Sequence, residues 1–594
     1  MKKNGKKRLR LTALLLVVFC VASMLTACAG DTPKGDGSDV PPSPPDPISI
    51  VADGASEYAI VYSSTDAGGR NAARALQATL LERTGAELIL QDDRTAPVEG
   101  VPEILVGKTN RGTAHGFQRS LRAGEWLIYR DAENVYLLGD SETLLKRACE
   151  YFVSFVMDVD FKVNEYGEIY RVSGRYNAES VKLNGLPITD YTFLYEKGGS
   201  TDWKDILDWV SERLSLVSGY ALTTAEYVSD ASVSGVAVIL REDTSLGQTG
   251  YRIEAQGQSI AITVGSHATA LALFAGVIEE QLPANAKGAV ELSASSKVGY
   301  MGESATVSLT EGADIRVMTY NVLGNVKEAT DYINATVVAY LPDFLCTQEY
   351  YNEADKAVTT YLAEAGYGKI GGKFTCASPT AVELNDEQYT KVGSTCNTPI
   401  FYRTDLWEVV ESEAYLFYWQ NRWPYTDTKS MTYGVFRNKN DGELVMVVGT
   451  HYALMASGYT EYADLGYTDA KEGAAWRYQD TLEILKAVDE IRAKYPGILT
   501  IVGGDLNANV NEKALITMED HAILSNAYTM APSGNRTDGG TYHNAHGKKP
   551  SGAAIDHIFV SEDVADVVLH AILKEQYVLE GSDHCPVIAD ISRK

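Results

Sequence analysis

The rhythm of apolar and polar positions changes several times along this chain. Residues 1–27 open with a basic cluster, Lys2, Lys3, Lys6, Lys7, Arg8 and Arg10, and continue as an apolar run from Leu11 to Ala27. That run is short for a membrane span and rich in small residues at its end, which predicts a targeting segment. Residues 28–47 hold six prolines among Gly, Ser and Asp. Such a composition cannot bury a core and stays extended and solvated, so it reads as a tether. From residue 48 onward, short strand-like runs alternate with stretches of helical period.

The alternation then repeats. Gly124-Glu-Trp-Leu-Ile leads to Gly139-Asp-Ser and an apolar-periodic helix through Phe152; at the same spacing Gly250-Tyr-Arg-Ile leads to Gly265-Ser-His and a helix through Ile278. Upstream, Tyr58-Ala-Ile-Val-Tyr precedes a helical stretch closing at Thr84-Gly85, and Tyr191-Thr-Phe-Leu-Tyr precedes one closing at Ser218-Gly219. Each copy offers a further strand, Glu103 to Gly107 and Val236 to Leu240. The order strand, helix, strand, strand pair, helix predicts two small repeated α/β modules, at 48–175 and 182–290. Gly139-Asp140 and Gly265-Ser266 are read as strand-to-helix turns with an N-cap. Neither copy carries a carboxylate pair, a metal-ligand cluster or a phosphate loop, so a spacer, docking or binding role is expected.

The C-terminal half differs because its apolar strands stop at residues that are costly to bury. Ile315-Arg-Val-Met-Thr-Tyr-Asn321 ends in an amide, and Asp343-Phe-Leu-Cys-Thr-Gln-Glu349 in a carboxylate, with a helix-like segment from Lys327 to Tyr340 between them. Leu444 to His451 ends in an imidazole, and Ile498 to Asp505-Leu-Asn507 in a carboxylate and an amide two apart. In a strand, positions two apart share a face. Two later strands reverse the order: Asp556-His557 precedes Ile558-Phe-Val, and Ser582-Asp583-His584 precedes Cys585-Pro-Val-Ile. Antiparallel pairing would bring all these polar ends to one edge of the sheet. Each unit has its own strand and helix set, so residues 310–594 are expected to fold without the modules.

Charge narrows the partners. The formal net charge is −27, and removing the basic leader makes the remainder more negative. Such a surface does not attract a phosphate polymer or an anionic membrane by its overall field, which disfavours duplex nucleic acid. A phosphorylated substrate must then be met by a bound cation or a local pocket. No protein partner is legible. Cys149, Cys346, Cys376, Cys396 and Cys585 remain once Cys20 and Cys28 are set aside. Cys346 and Cys585 lie in apolar runs and are expected to pack as small hydrophobes; pairing of Cys376 with Cys396 is left open.

Three resemblances add to this reading. Leu25-Thr26-Ala27-Cys28 resembles a bacterial lipobox, which implies a lipidated Cys28 as first mature residue and a chain held, through that lipid alone, to the outer face of the cell membrane. The paired modules resemble the noncatalytic α/β domains that precede catalytic barrels in some glycoside hydrolases. Asn321, Gln348-Glu349, Thr450-His451, Gly504-Asp505-Leu506-Asn507, Ile555-Asp556 and Ser582-Asp583-His584 occur in the order and approximate spacing of the endonuclease/exonuclease/phosphatase superfamily. That resemblance spans nearly all of 314–594, including Asn397-Thr-Pro-Ile-Phe-Tyr-Arg403 as its middle strand and Thr541-Tyr-His543 before the Asp556 strand.

The superfamily resemblance implies a C-terminal four-layer α/β/β/α sandwich at 312–594 and a metal-dependent phosphoesterase. Asn321, Glu349 and Asp583 would coordinate Mg²⁺ or Mn²⁺, hard cations that suit oxygen ligands. Asp505 and Asn507 would position phosphate and attacking water, His584 oriented by Asp556 would be the base, and His451 the acid for the leaving oxygen. Thr450-His451 is similar to the deoxyribonuclease, sphingomyelinase and inositol-phosphatase branches; the Tyr and Pro-Asn turn of abasic-site endonucleases is missing. The Tyr- and Trp-rich stretch Tyr415 to Tyr425 is read as packing rather than as a membrane-inserting hairpin. The alternative is a catalytically silent adhesion or scaffold module that retains the fold.

Overall fold

The computed structural model describes residues 46–594 except 112–120, 173–175, 197–202, 228–234, 325–328, 352, 374, 378–395, 418–428 and 454–469. The leader, Cys28, nearly all of the proline-rich segment and most of the Tyr- and Trp-rich stretch lie outside the described residues. Among the described residues no helix is long and apolar enough to cross a membrane.

Two six-stranded sheets come first. One runs, edge to edge, Ile89–Asp92, Ala59–Tyr62, Glu103–Val106, Val135–Gly139, Trp126–Arg130, Gly167–Arg171. The other runs Thr223–Tyr227, Tyr191–Glu196, Val236–Glu242, Ser259–Val264, Gly250–Gln256, Lys297–Tyr300. In both, the first four strands pair parallel and the last two contacts are antiparallel. The last strand of the second sheet lies beyond residue 290.

Helices Ala67–Thr84 and Lys204–Ser218 end at Gly85 and Gly219, both at φ 75°, a left-handed conformation that glycine adopts without a Cβ clash. Helices Glu142–Tyr151 and His267–Gly276 start where the Ser141 and Ser266 hydroxyls accept the Leu144 and Thr269 N–H groups. Each then widens into a π-turn, Phe152–Val156 and Val277–Gln281.

The two helices differ in what covers them. Glu142–Tyr151 buries Leu145, Ala148 and Cys149 and leaves its other face polar. His267–Gly276 is buried almost all round, because it lies between its own sheet and the C-terminal helix Thr330–Tyr340. A helix that is apolar on every face needs such double cover. Polar contacts fasten this seam. His267 Nε2 lies 3.0 Å from Asp205 Oδ2, the Tyr332 hydroxyl donates to Asp205 at 2.9 Å, and Thr269 and Tyr361 hydroxyls meet at 2.8 Å. The apolar core is continuous across it, from Ile206, Leu271 and Phe274 to Ile333, Val337 and Tyr361. The core therefore does not stop at residue 310, contrary to the expectation of an independent C-terminal half.

The C-terminal half contains two further sheets. A six-stranded sheet runs Tyr367–Ile370, Ile400–Arg403, Phe344–Gln348, Ile315–Asn321, Val587–Arg593, Ala565–Ile572. A seven-stranded sheet runs Cys376–Ala377, Trp407–Leu416, Ser430–Asn438, Leu444–His451, Leu499–Asp505, Asp556–Ser561, Leu524–Asn526. Successive side chains of a strand point to opposite faces, and here both faces are buried. Val317, Phe344, Val447, Ile501 and Ile558 fill the space between the sheets. Their neighbours Met318 and Leu345 pack outward with Ile333 and Val358, while Val448 and Val502 pack with Ile484, Val488 and Leu515 of Ala470–Lys494 and Lys513–Asp520. Cys346 and Cys585 are buried free thiols within the middle core. Cys396 is also a buried free thiol, bonded to Thr398 and Thr432; the side chain of Cys376 lies outside the described residues.

Candidate active site

Strand register assembles the site. Asn321 is the partner of Gln348 across a parallel pair. His451 and Asp505 are partners across another parallel pair, and Asp505 is the partner of Asp556 across an antiparallel one. Three polar ends thus stand abreast on one sheet edge, by parallel as well as antiparallel pairing. Glycine makes this register possible: a Cβ on Gly504 would sit 2.2 Å from the Thr450 carbonyl. The facing sheet closes the edge where Asn321 Nδ2 donates to Asp505 Oδ2 at 3.0 Å. Ser582 Oγ donates to the Asn321 carbonyl at 2.7 Å and so brings in Asp583 and His584.

Two of these residues hold a costly backbone. Glu349 and Asn507 have φ of 53° and 46°. Asn tolerates this conformation locally, whereas for Glu it stores strain that a fold normally avoids away from functional positions. Glu349 leaves the strand there; its Oε1 accepts from Asn321 Nδ2 at 3.2 Å and its Oε2 from the Tyr351 hydroxyl at 3.2 Å.

The centre is a buried network of charges. His584 Nδ1 lies 2.9 Å from Asp556 Oδ2, and its Nε2 3.8 Å from Asp505 Oδ2. His451 Nε2 approaches the same Asp505 oxygen at 3.4 Å. Asn507 donates its N–H to Asp505 Oδ1 at 3.0 Å and its side-chain amide to the Tyr452 carbonyl at 3.2 Å. Burial alone would raise the Asp505 carboxyl, but His584, His451 and Lys429 overcome it and hold that group far below the usual carboxylate range. Burial likewise opposes charge on His584, yet Asp556 and Asp505 raise its imidazole to about 10. Asp556 is raised by burial against the opposing effect of His584. Its Oδ1 is buried without a hydrogen-bond partner.

The expected oxygen ligands fit a hard cation in chemistry. Burial raises the Asp583 carboxyl, and the neighbouring Glu349 charge raises it further, so the two carboxylates repel each other unless a cation separates them. Asn321 currently turns its NH₂ toward Glu349 and Asp505 and its oxygen toward the Leu323 N–H. Ligation needs the oxygen on the carboxylate side, a half-turn of the amide. The tightest group of ligand-type atoms among the described residues is a different trio, Asp505, Asp556 and His584, within 4.8 Å of one another. Asp556 and His584 are committed to each other by the hydrogen bond at Nδ1.

The structure places Asn321, Glu349, His451, Asp505, Asn507, Asp556, Asp583 and His584 around one edge, while Cys28 lies outside the described residues. Sequence reasoning missed Lys429. It is buried, and its Nζ lies 2.7 Å from His451 Nε2. Nothing in its spacing marks it, because only the pairing of Ser430 with His451 brings it to the site. Tyr542, whose ring is tilted 56° to that of His584 with centroids 5.0 Å apart, and Thr541, whose hydroxyl accepts the Asp556 N–H at 3.2 Å, were visible only as a motif.

Comparisons with known proteins bear on this half of the chain. Residues 318–584 match the Endonuclease/Exonuclease/phosphatase family. No curated protein matches the chain. Similar solved structures include an endonuclease/exonuclease/phosphatase from Bacteroides vulgatus, 21% identical, covering 47% of this chain and 99% of that one with a TM-score of 0.36. The human Nocturnin catalytic domain with bound sulfate anion is 20% identical over 47% of this chain and 94% of that one, TM-score 0.35. A mannosyl-6-phosphatase from Bacteroides thetaiotaomicron is 18% identical over 47% and 99%, TM-score 0.35. Residues 318–584 form a domain of the endonuclease/exonuclease/phosphatase family.

Proposed function

We propose that this chain is a divalent-cation-dependent phosphoesterase, anchored outside the cell membrane through lipid on Cys28. The observation that carries the reading is the abreast register of His451, Asp505 and Asp556 with Asn321 and His584 closing over it. Buried carboxylates and imidazoles cost stability unless they work together, and a silent scaffold gains nothing from keeping them. The location rests on the leader and the lipobox-like string. The domain reading is 1–27 as signal peptide, 28–47 as tether, two duplicated α/β modules and a four-layer α/β/β/α catalytic sandwich. Identical strand order supports the duplication, and three stacked apolar cores support the layers.

In this reading Glu349 and Asp583, with Asn321 after its amide turns, hold Mg²⁺ or Mn²⁺, which supplies positive charge to the phosphoryl oxygens in an otherwise acidic protein. Asp556 holds His584 Nδ1 and leaves Nε2 facing Asp505. A ring that keeps its proton up to about 10 becomes a base only with added positive charge nearby, and Glu349 and Asp583 are placed to hold that charge. Asp505 is kept ionised and orients Asn321, Asn507 and the two histidines toward one point. His451, on the other side of Asp505, is the acid for the leaving oxygen.

The test is a screen of the mature chain against duplex DNA, sphingomyelin, lysophospholipid and sugar or inositol phosphates, with Mg²⁺ or Mn²⁺ titrated and then chelated. Cation-dependent release of phosphate or of a phosphomonoester is expected from at least one class. No turnover of any of them at saturating cation sinks the reading.

A further inference from the structure

We propose that Asn397 is a catalytic residue of this site: its side-chain NH₂ donates to a non-bridging phosphoryl oxygen of the substrate, between Glu349 and His451. The proposal rests on the phosphoesterase reading above and deepens it.

Backbone pairing carries Asn397 to the site. Strand Ile400–Arg403 runs antiparallel to Phe344–Gln348, with Ile400 opposite Cys346. The pairing continues past both strand ends: the Thr347 N–H donates to the Pro399 carbonyl at 3.2 Å and the Tyr350 N–H to the Asn397 carbonyl at 3.1 Å. Asn397 therefore stands beside the turn at Glu349. On the other side of that turn is Asn321, the partner of Gln348. Three polar side chains, Asn397, Glu349 and Asn321, follow one another along the site end of the six-stranded sheet.

The side chain of Asn397 crosses to the other sheet. Ser430 is opposite His451, and directly opposed residues carry their side chains on one face with Cβ atoms about 4.5–5.5 Å apart. That face looks toward the six-stranded sheet. Thr432 shares it and is opposite Gly449, where a Cβ would lie 3.1 Å from the Ile400 side chain. The Ser430 hydroxyl donates to Asn397 Oδ1 at 3.3 Å, so Asn397 reaches the His451 pair as Asn321 reaches Asp505. Its oxygen is committed to Ser430, whereas its NH₂ has no partner among the described residues, although the residue is only 5% exposed. Side-chain donors so little exposed are normally bonded. These idle donors stand between Glu349, whose neighbour Tyr350 bonds the Asn397 carbonyl, and His451, whose partner Ser430 bonds its side chain. A fixed neutral donor in that place stabilises charge as it develops on a phosphoryl oxygen.

The experiment uses the mature chain and two readouts. The first is calorimetric binding of inorganic phosphate in saturating Mg²⁺, which Asn397→Ala should weaken at least about tenfold. The second is kcat/KM for a phosphoester of the class found in the screen. Asn397→Ala should lose about 10²–10³-fold, the scale of removing one preorganised donor from a developing anion. Asn397→Asp separates contact from support, because it keeps the size of the side chain and the acceptor for Ser430 but puts a carboxylate oxygen in place of the NH₂. It should fall at least about tenfold below Asn397→Ala in both readouts, since a carboxylate repels the phosphoryl oxygen that the amide attracts. A role confined to holding Ser430 gives the opposite order. Asn397→Asp equal to or better than Asn397→Ala would therefore overturn the contact, as would unchanged phosphate binding in Asn397→Ala or no phosphate binding by the wild type. Should Asn397→Ala fail to fold, Asn397→Ser takes its place with the same expected loss. A wild-type chain that binds phosphate through Asn397 yet turns over no ester would sink the phosphoesterase reading and leave the amide contact standing.

Discussion

At the scale of single residues, the site depends on side chains that are expensive to hold where they are. Glu349 combines a left-handed backbone with a carboxylate shared between Asn321 and Tyr351. Glu349→Gln removes one charge from the cation seat and leaves its shape. Turnover should fall by orders of magnitude, and the Mg²⁺ concentration for half-activation should rise at least about tenfold, since even outer partners of metal ligands contribute on that scale. Full activity of this variant in the presence of a chelator would reject the cation seat. His584 carries the second prediction. It stands between Asp556 and Asp505 and serves to activate water in this reading. His584→Ala should therefore slow an alkyl and a nitrophenyl phosphodiester alike, by about 10²–10⁴-fold. Loss confined to the alkyl ester, whose leaving group needs a proton, would assign His584 the acid role. Of these residues, Asn321, Glu349, Asp505 and His584 were legible as strand ends. Lys429 was not, because its place comes from cross-strand pairing rather than from any local pattern.

At the scale of elements, equal strand order conceals unequal helices. Glu142–Tyr151 and His267–Gly276 occupy matching places after matching strands, yet the first presses against Ala67–Thr84 of its own module while the second presses against Thr330–Tyr340 of the C-terminal half. Its composition, His267-Ala-Thr-Ala-Leu-Ala-Leu-Phe-Ala-Gly276, is apolar on nearly every face, which suits cover on two sides. The seam carries a titratable group. Burial pushes the His267 imidazole down, but bonds to Asp205 and Asp331 prevail and raise it to about 9. A group raised in the folded state stabilises fully below its unfolded value, and that stabilisation is lost as pH climbs through the folded value. The seam should thus be firm at pH 6 and weaken between about 7 and 9 or above. The upper bound is about 3 kcal/mol, less after solvent screening at the partly exposed Asp205 and Asp331. Melting temperature followed from pH 6 to 10 should fall more for the wild type than for His267→Gln; parallel curves would show that the ion pair contributes nothing.

At the scale of the whole molecule, the shared core changes what can be cut. Residues 310–594 taken alone would expose Ile333, Val337 and Tyr361, which the second module covers, together with Tyr577, whose ring meets Trp209 at 4.6 Å. A contiguous apolar patch of that kind favours aggregation. A fragment from 176 to 594 should be soluble and active, while 310–594 should aggregate or melt well below it; size-exclusion chromatography and thermal melts of both decide the matter, and equal stability would show that the seam is dispensable. By itself the sequence determined the strands, the helix stops at Gly85 and Gly219, the serine caps and most polar strand ends, because each depends on side-chain period, backbone freedom or short spacing. Only the tertiary structure decided that His451, Asp505 and Asp556 stand abreast, that Lys429 meets His451, and that the second module shares its core with the catalytic half. Those outcomes depend on strand register and helix cover between segments far apart in the chain, and no local pattern of residues encodes which distant segment will supply the other side of a contact.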